Sequence, residues 1–266
     1  MVLALVWLCP IVTAFYSILC LLTCFSLSAY YHGMPSSLPF LSEIANKPPA
    51  NGFYCMMTNH IAVLAAIWMY LKHREIVSYF SCNSHQSFHK RASFLNLCIG
   101  LLGVFCLQIS VNFARRYHSY IPISSNMVLM VCSLIYVWVH TLLSTFIVDA
   151  NLARLKLFMV RSVLAAIISS CYGSILKVFA IRDISFYTTS SPLDHATAGA
   201  VYEWIAYFSM CFFLLTDAYE FRGITYRAPK LVIPGAPLYN AERLTPTTET
   251  RELTPAMSPF TVPLIR

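Results

Sequence analysis

Six long apolar stretches divide this chain, and they constrain its fold more than any other feature. They cover roughly Val2–Ala29, Phe53–Leu71, Ser93–Ala114, Asn126–Val148, Leu157–Ala180 and Thr197–Phe213. Each is long enough to supply the ~20 apolar residues with which a helix crosses the hydrocarbon core of a bilayer. Charged residues make up 11% of the chain, against about 25% in soluble domains. The sequence therefore predicts an all-α, polytopic membrane protein built as a bundle of six transmembrane helices.

The six stretches and their short connections occupy the first 220 or so residues, which leaves no room for a separate soluble catalytic domain. We expect residues 1–220 to form the transmembrane domain. Residues 221–266 contain seven prolines and many threonines, a composition that predicts a disordered cytosolic tail. Thr245, Thr254 and Ser258 each precede a proline. They are candidate phosphorylation sites, or chance pairs in a solvated tail.

Basic residues are distributed unequally between the two sides of the predicted bundle. Thirteen of the 18 Lys and Arg residues fall on the side that holds the N-terminus. Short connections rich in Lys and Arg stay in the cytosol, so both termini are predicted to be cytosolic and the 30–52, 115–125 and 181–196 connections to face the lumen or exterior. This bias accounts for the net charge of +7, and no nucleic-acid partner is predicted.

The first outer connection contains several turn-forming residues. Pro48-Pro49 and Asn51-Gly52 are turn signals, and Pro39 stiffens the segment before them. The connection exceeds 20 residues, and long ordered loops are often functional. We predict an ordered loop over the outer mouth of the bundle, with a simple connector as the alternative. The candidate loop motif is Pro39, Ser42, Glu43, Pro48, Pro49 and Gly52.

This loop resembles that of the damage-regulated autophagy modulator (DRAM) family, whose superfamily includes Sfk-type plasma-membrane proteins and GPI-lipid-remodelling proteins. Similar residues recur in the second, third and sixth stretches, such as Asn59, Val111-Asn112-Phe113 and Glu203-Trp204, so the resemblance covers residues 1 to about 227. The chain departs from the family pattern in two places. Ser42-Glu43 stands where Ser-Asp is usual, and the His-Asp-x-Gly-like stretch that opens the family's fourth span is replaced by other residues.

Polar side chains are predicted in the outer half of the bundle, beneath this loop. They are Asn59, His60, Gln108, Asn112, Lys177 and Glu203. Because buried polar groups in hydrocarbon face the bundle interior or a cavity, we predict a polar pocket in which Glu203 pairs with Lys177 or His60. Such a layer is hydrogen-bonded packing between helices, a site for a lipid headgroup or other ligand, or a catalytic site.

Other polar residues receive simpler interpretations. His140 is predicted to be a core residue rather than a ligand, and Asp217 and Glu220, close to Arg222, to be charges at the membrane interface. The chain contains no recognisable catalytic, nucleotide-binding or metal-binding motif, so no cofactor or metal is predicted and a non-catalytic role is favoured over enzymatic activity.

The resemblance implies three functions. The first, which we favour, is a multi-pass lysosomal or other endomembrane protein that modulates autophagy without catalysis and binds lipid in the outer half. The second is a plasma-membrane adaptor that recruits a phosphoinositide kinase complex through its tail and inner loops. The third is a GPI- or lipid-remodelling enzyme or accessory protein. The expected partners are membrane lipids and unidentified cytosolic proteins.

Overall fold

The computed structural model describes residues 2–3, 6–33, 39–44, 48–81, 87–113, 120–145, 152–185, 193–222 and 226–227. Residues Val2–Tyr226 form one compact unit. Of a second unit, Met1 with Arg227–Arg266, only Arg227 is among the described residues. The candidate phosphorylation sites Thr245, Thr254 and Ser258, and nearly all of the predicted tail, lie outside them.

Among the residues that the structure describes, seven helices account for most of the compact unit. They are α1 (Leu8–His32), α2 (Leu41–Ile44), α3 (Ala50–Ser81), α4 (Ser87–Asn112), α5 (Tyr120–Thr145), α6 (Leu152–Ser185) and α7 (Leu193–Phe221). Two short strands, β1 (Val2–Leu3) and β2 (Tyr226–Arg227), form a two-stranded sheet.

Within the described residues, every helix except the four-residue α2 is long and apolar enough to span a membrane. Large apolar side chains cover their outward faces, among them Phe15, Phe105 and Phe212, each more than half exposed. In water such a surface would be strongly unfavourable, whereas in hydrocarbon it contacts lipid tails. The prediction of an all-α bundle of six transmembrane helices is thereby confirmed.

Two helix boundaries differ from the predicted stretches for a clear physical reason. α1 begins at Leu8 rather than Val2, which places Pro10 in its first turn, where the missing N–H costs no helical hydrogen bond. α3 continues to Ser81, well past the end of the apolar stretch at Leu71. Its last three turns therefore bring charged residues into contact with the neighbouring helices.

The six spanning helices pack as a closed ring. α1 packs against α3, α3 against α4, α4 against α5, α5 against α6 and α6 against α7, and α7 returns to α1. Since the number of spans is even, α1 begins and α7 finishes at the same end of the bundle. We call this the inner end and the opposite one the outer end, in keeping with the orientation predicted from charge.

α4 approaches α3 and α5 closely at Gly100. A Cβ added there would lie 2.7 Å from the Met69 sulfur and 2.8 Å from the Tyr136 ring. We expect Gly100→Ala to overpack this contact and to lower the free energy of unfolding by ~1–3 kcal/mol, measured as a lower melting temperature in detergent. Gly173→Ala is the matched control, because no neighbouring atom of the described residues lies within 4 Å of its added Cβ. Equal melting temperatures for the two variants would contradict the expectation.

Candidate functional site

The loop that follows α1 docks onto the outer end of the bundle through two hydrogen bonds to α7. The backbone N–H of Leu41 donates to Glu203 Oε2 at 2.8 Å. The indole Nε1 of Trp204 donates to the Pro39 carbonyl at 3.0 Å. Leu41 and Ile44 are buried against α1 and α3. Adjacent residues of α7 thus hold both the loop before α2 and the start of α2 itself.

The predicted loop motif divides between these contacts and the start of α3. Pro39 accepts the Trp204 hydrogen bond, and Ser42 and Glu43 lie in α2, although their side chains are outside the description. Pro48 is exposed, Pro49 is half-buried and the peptide between them is cis. Gly52 lies in the first turn of α3, and no neighbouring atom of the described residues lies within 4 Å of its Cβ position.

We expect Glu203→Leu to loosen this loop. Loss of a hydrogen bond to a charged acceptor costs ~1.5–3 kcal/mol, so the Leu41 amide should exchange its hydrogen at least ~10-fold faster. Glu203→Gln is the matched control, because its amide oxygen still accepts from Leu41 and the exchange rate should change less. Unchanged protection at Leu41 in Glu203→Leu would show that this contact does not hold the loop.

The residues predicted to form one outer polar layer lie in separate groups. Asn59 and Asn112 donate to one another's side-chain oxygens at 3.2 and 2.9 Å, joining α3 to α4. Asn112 also donates to the backbone carbonyl of Gln108 at 2.8 Å. His60 Nδ1 lies 3.2 Å from the Tyr16 hydroxyl, on the α1 side of α3.

The remaining two members lie elsewhere. Glu203 holds the outer loop as described, and Lys177 is exposed near the outer end of α6. The structure thus joins the side chains of Asn59 and Asn112, to which Gln108 contributes its backbone carbonyl, and places His60, Lys177 and Glu203 apart from them. Asn59 and Asn112 therefore join α3 to α4, and His60 joins α3 to α1 through Tyr16. Tyr16 also lines an apolar groove.

That groove runs between α1 and α3 in the outer half of the bundle. Its volume is about 510 Å³, within the ~300–1,000 Å³ of typical ligand sites. Its lining is Tyr16, Leu22, Thr23, Ser26, Leu27, Phe53, Met56 and Met57. Tyr16, with its His60 partner, stands nearest the middle of the membrane, and Ser26 and Phe53 stand towards the outer end. The groove opens on the surface that faces lipid, so its shape and polarity suit an apolar chain.

A second group of polar residues, at the inner end, is more deeply buried. Six ionisable side chains from α3, α5, α6 and α7 meet there, and none is more than 11% exposed. We call them the inner ion cluster: Lys72, Glu75, His140, Arg161, Asp217 and Glu220.

Asp217 is the centre of the inner ion cluster. Its Oδ2 accepts from Trp68 Nε1 at 2.9 Å, and its Oδ1 accepts from Arg161 and lies 3.0 Å from His140 Nε2. Lys72 Nζ is 3.8 Å from Oδ1. One fully buried carboxylate of α7 therefore binds groups of α3, α5 and α6 together.

Arg161 and Lys72 complete the connections. The Arg161 guanidinium donates from Nε to Thr216 Oγ1 and from Nη1 to Glu220 Oε1, both at 2.8 Å. Lys72 donates to Glu220 and lies 2.8 Å from Glu75 Oε2. The planar guanidinium of Arg161 suits these several acceptors better than an ammonium group would, because its N–H donors have fixed directions.

A small cavity adjoins the inner ion cluster. It has a volume of about 10 Å³, which is about enough for one water. Arg161, Glu220, Thr141 and Ser144 are among its lining residues. Ser144 is 4% exposed, and its Oγ has no hydrogen-bond partner among the described residues. The cavity would hold a water that joins this hydroxyl to the charged groups.

The sequence interpretation missed the inner ion cluster. The prediction that Asp217 and Glu220 are interface charges is wrong, because the Asp217 residue is 0% exposed and the Glu220 side chain 4% exposed. Lys72 and Arg161 are two of the 13 basic residues assigned to the side that holds the N-terminus, and each is 1% exposed. The available signal was their position, since intramembrane charges pair and mark functional sites. His140 is a core residue as predicted, and its partner is Asp217.

A closed ring of six spanning helices, with a loop docked at one end and buried ion pairs at the other, defines a polytopic membrane protein of the helical-bundle class. Residues 5–224 match the family described as the Frag1/DRAM/Sfk1/Cwh43P N-terminal domain. The match spans nearly the whole bundle, and the chain belongs to this family. It confirms the resemblance drawn from the outer loop and the second, third and sixth spans.

Two curated relatives share the name "DNA damage-regulated autophagy modulator protein 1". The human protein is 23% identical to this chain over 200 residues, which are 71% of this chain and 80% of the human protein. The mouse protein is 22% identical with the same coverage. No solved structure matches the chain.

Proposed function

We propose that this protein is a multi-pass endomembrane protein, located in lysosomes, that modulates autophagy without catalysing a reaction. The observation that carries this proposal is the similarity to the human autophagy modulator, which extends over 80% of that protein. The aligned length is most of a membrane domain rather than a short shared motif. In this proposal the bundle is the part of the molecule that modulates autophagy, and its loops at the inner end face cytosolic partners.

Location in cells and autophagic flux test this proposal together. A fluorescent tag at the C-terminus, viewed beside lysosomal and plasma-membrane markers, should report lysosomal membranes. Depletion should change autophagic flux, and re-expression of the wild-type chain should restore it. Plasma-membrane signal with unchanged flux would instead favour the alternative implied by the resemblance to Sfk-type proteins, an adaptor that recruits a phosphoinositide kinase complex.

The second part of the proposal is that the bundle binds bilayer lipid in its outer half. The support is the apolar groove between α1 and α3, whose lining is fixed by packing of Met57 in the core and by the Tyr16–His60 contact. An acyl chain would lie along the groove and leave its headgroup at the outer end. The docked loop, held by Glu203 and Trp204, adjoins that end through Leu41 and Ile44, which pack with Met57.

Retention of lipid by the purified protein tests the groove. Ser26→Trp should fill the groove, and native mass spectrometry should then detect less copurified lipid than with the wild type. Leu102→Trp, at a residue 50% exposed on α4, is the matched control and should leave retention unchanged. Equal retention in Ser26→Trp and the wild type would count against lipid binding here. Altered GPI or other lipid structures in cells carrying His60→Ala or Glu203→Ala would favour the lipid-remodelling alternative.

A further inference from the structure

The formal charges of the inner ion cluster do not cancel. Three carboxylates (Glu75, Asp217 and Glu220) face two permanent cations (Lys72 and Arg161), so with neutral His140 the cluster would carry one surplus negative charge. A buried ion without a countercharge is strongly unfavourable and tends to be neutralised by a proton. One additional proton makes the cluster neutral.

His140 is poorly placed to hold that proton. Its Nε2 faces Asp217 Oδ1, and its Nδ1 is buried with no hydrogen-bond partner in the described part of the chain. The rings of Trp68, Tyr136 and Phe213 lie around the imidazole. Protonation of Nδ1 would bury an N–H group without an acceptor, which is a rare and costly arrangement. The neutral tautomer that donates from Nε2 avoids this cost.

Two of the three carboxylates are also poor candidates. Asp217 accepts from Trp68 and Arg161 and faces His140. Glu220 accepts from both Lys72 and Arg161. A proton on either group would weaken the hydrogen bonds that the group now accepts, one of them from a charged donor at Asp217 and two at Glu220. Several charge-assisted hydrogen bonds hold each group as a carboxylate.

Glu75 differs from both. Its Oε2 forms an ion pair with Lys72 Nζ at 2.8 Å, and no other described residue donates a hydrogen bond to that atom. Its side chain is 11% exposed, the largest value in the cluster. The charges that act on it are Lys72 on its own helix, Asp217 and Glu220 on α7 and Arg161 on α6.

We propose that the inner ion cluster is a proton-binding site that carries one exchangeable proton on the Glu75 carboxyl at neutral pH. With Glu75 neutral, the charges of Lys72 and Arg161 cancel those of Asp217 and Glu220. On release, the O–H bond of the acid breaks, the proton passes to water at the exposed edge of Glu75, and one unbalanced negative charge stays in the bundle. Release therefore weakens the ion pairs that join α3 to α7 at the inner end, independently of any role in autophagy.

Infrared spectroscopy of the full-length protein in lipid nanodiscs tests this assignment. The carbonyl band of a protonated, buried carboxyl group should be present in the wild type at neutral pH and fade as the pH is raised. It should be lost in Glu75→Gln and kept in Glu203→Gln, the control for an intramembrane carboxyl outside the cluster. Absence of the band in the wild type, or its persistence in Glu75→Gln, would overturn the proposal.

Thermal unfolding supplies a second measurement. The folded wild type holds one proton more than the unfolded chain, in which Glu75 ionises freely, so its melting temperature should fall as the pH rises above neutral. Glu75→Gln is isosteric with the protonated acid, and its melting temperature should fall less over the same range. Equal falls in the two proteins would overturn the proposal. Should Glu75→Gln not fold, the pH dependence of the wild-type infrared band decides alone.

Discussion

Replacement of Asp217 by alanine should destabilise this protein more than any other single substitution considered. The change removes the acceptor shared by Trp68, Arg161 and His140, and leaves their donors buried. Removal of one partner from a buried charge pair costs ~3–5 kcal/mol. We expect a correspondingly large fall in melting temperature, followed by tryptophan fluorescence or by monodispersity after heating in detergent.

Arg222→Gln is the matched control for Asp217→Ala. Arg222 directly follows α7 and is exposed, and exposed ion pairs contribute ~0–1 kcal/mol. Its melting temperature should stay close to that of the wild type. If Asp217→Ala melts at the same temperature as Arg222→Gln, the inner ion cluster contributes nothing to stability.

The second large effect is expected at Arg161. Arg161→Met removes three donated hydrogen bonds, to Thr216, Asp217 and Glu220, and leaves the carboxylates with Lys72 as their remaining permanent cation in the cluster. We expect a loss of ~3–5 kcal/mol, measured as for Asp217. The melting temperature of Arg161→Lys should lie between those of Arg161→Met and the wild type, because lysine keeps the charge but loses the planar set of donors.

The double variant Arg161→Met, Asp217→Leu makes this prediction sharper. It removes one cation and one anion together and leaves Lys72 paired with Glu220. Because groups in one buried network are coupled by ~0.5–3 kcal/mol, the double variant should lose less stability than Arg161→Met and Asp217→Leu added together. Strictly additive losses would show that the two side chains do not act as a pair.

The two candidate sites differ in how far local pattern could locate them. The outer loop was found because Pro39, Pro48-Pro49 and Gly52 are turn-forming residues at short spacing, and such signals are local. Its partners on α7 could not be found in this way. The contact of Glu203 with Leu41 joins residues 162 positions apart, and it depends on how α7 is rotated in the ring.

The inner ion cluster shows the same limit more strongly. Lys72 lies just after an apolar stretch, where a charge ordinarily marks a membrane interface. Only the continuation of α3 to Ser81 and the closure of the ring through α7 turn it towards Asp217 rather than towards water. A charge beside an apolar stretch has two possible environments, and its own sequence neighbours do not distinguish them.

The sequence by itself determined the class of this protein, because the length of an apolar run and the side on which basic residues fall are properties of single segments in a bilayer about 30 Å thick. It determined the number of spans and the family in the same way, through runs and motifs that are contiguous in the chain. The tertiary structure decided which polar groups meet. Asp217, His140, Arg161 and Lys72 belong to four different helices, and their meeting follows from packing, whose free energy depends on all four helices at once.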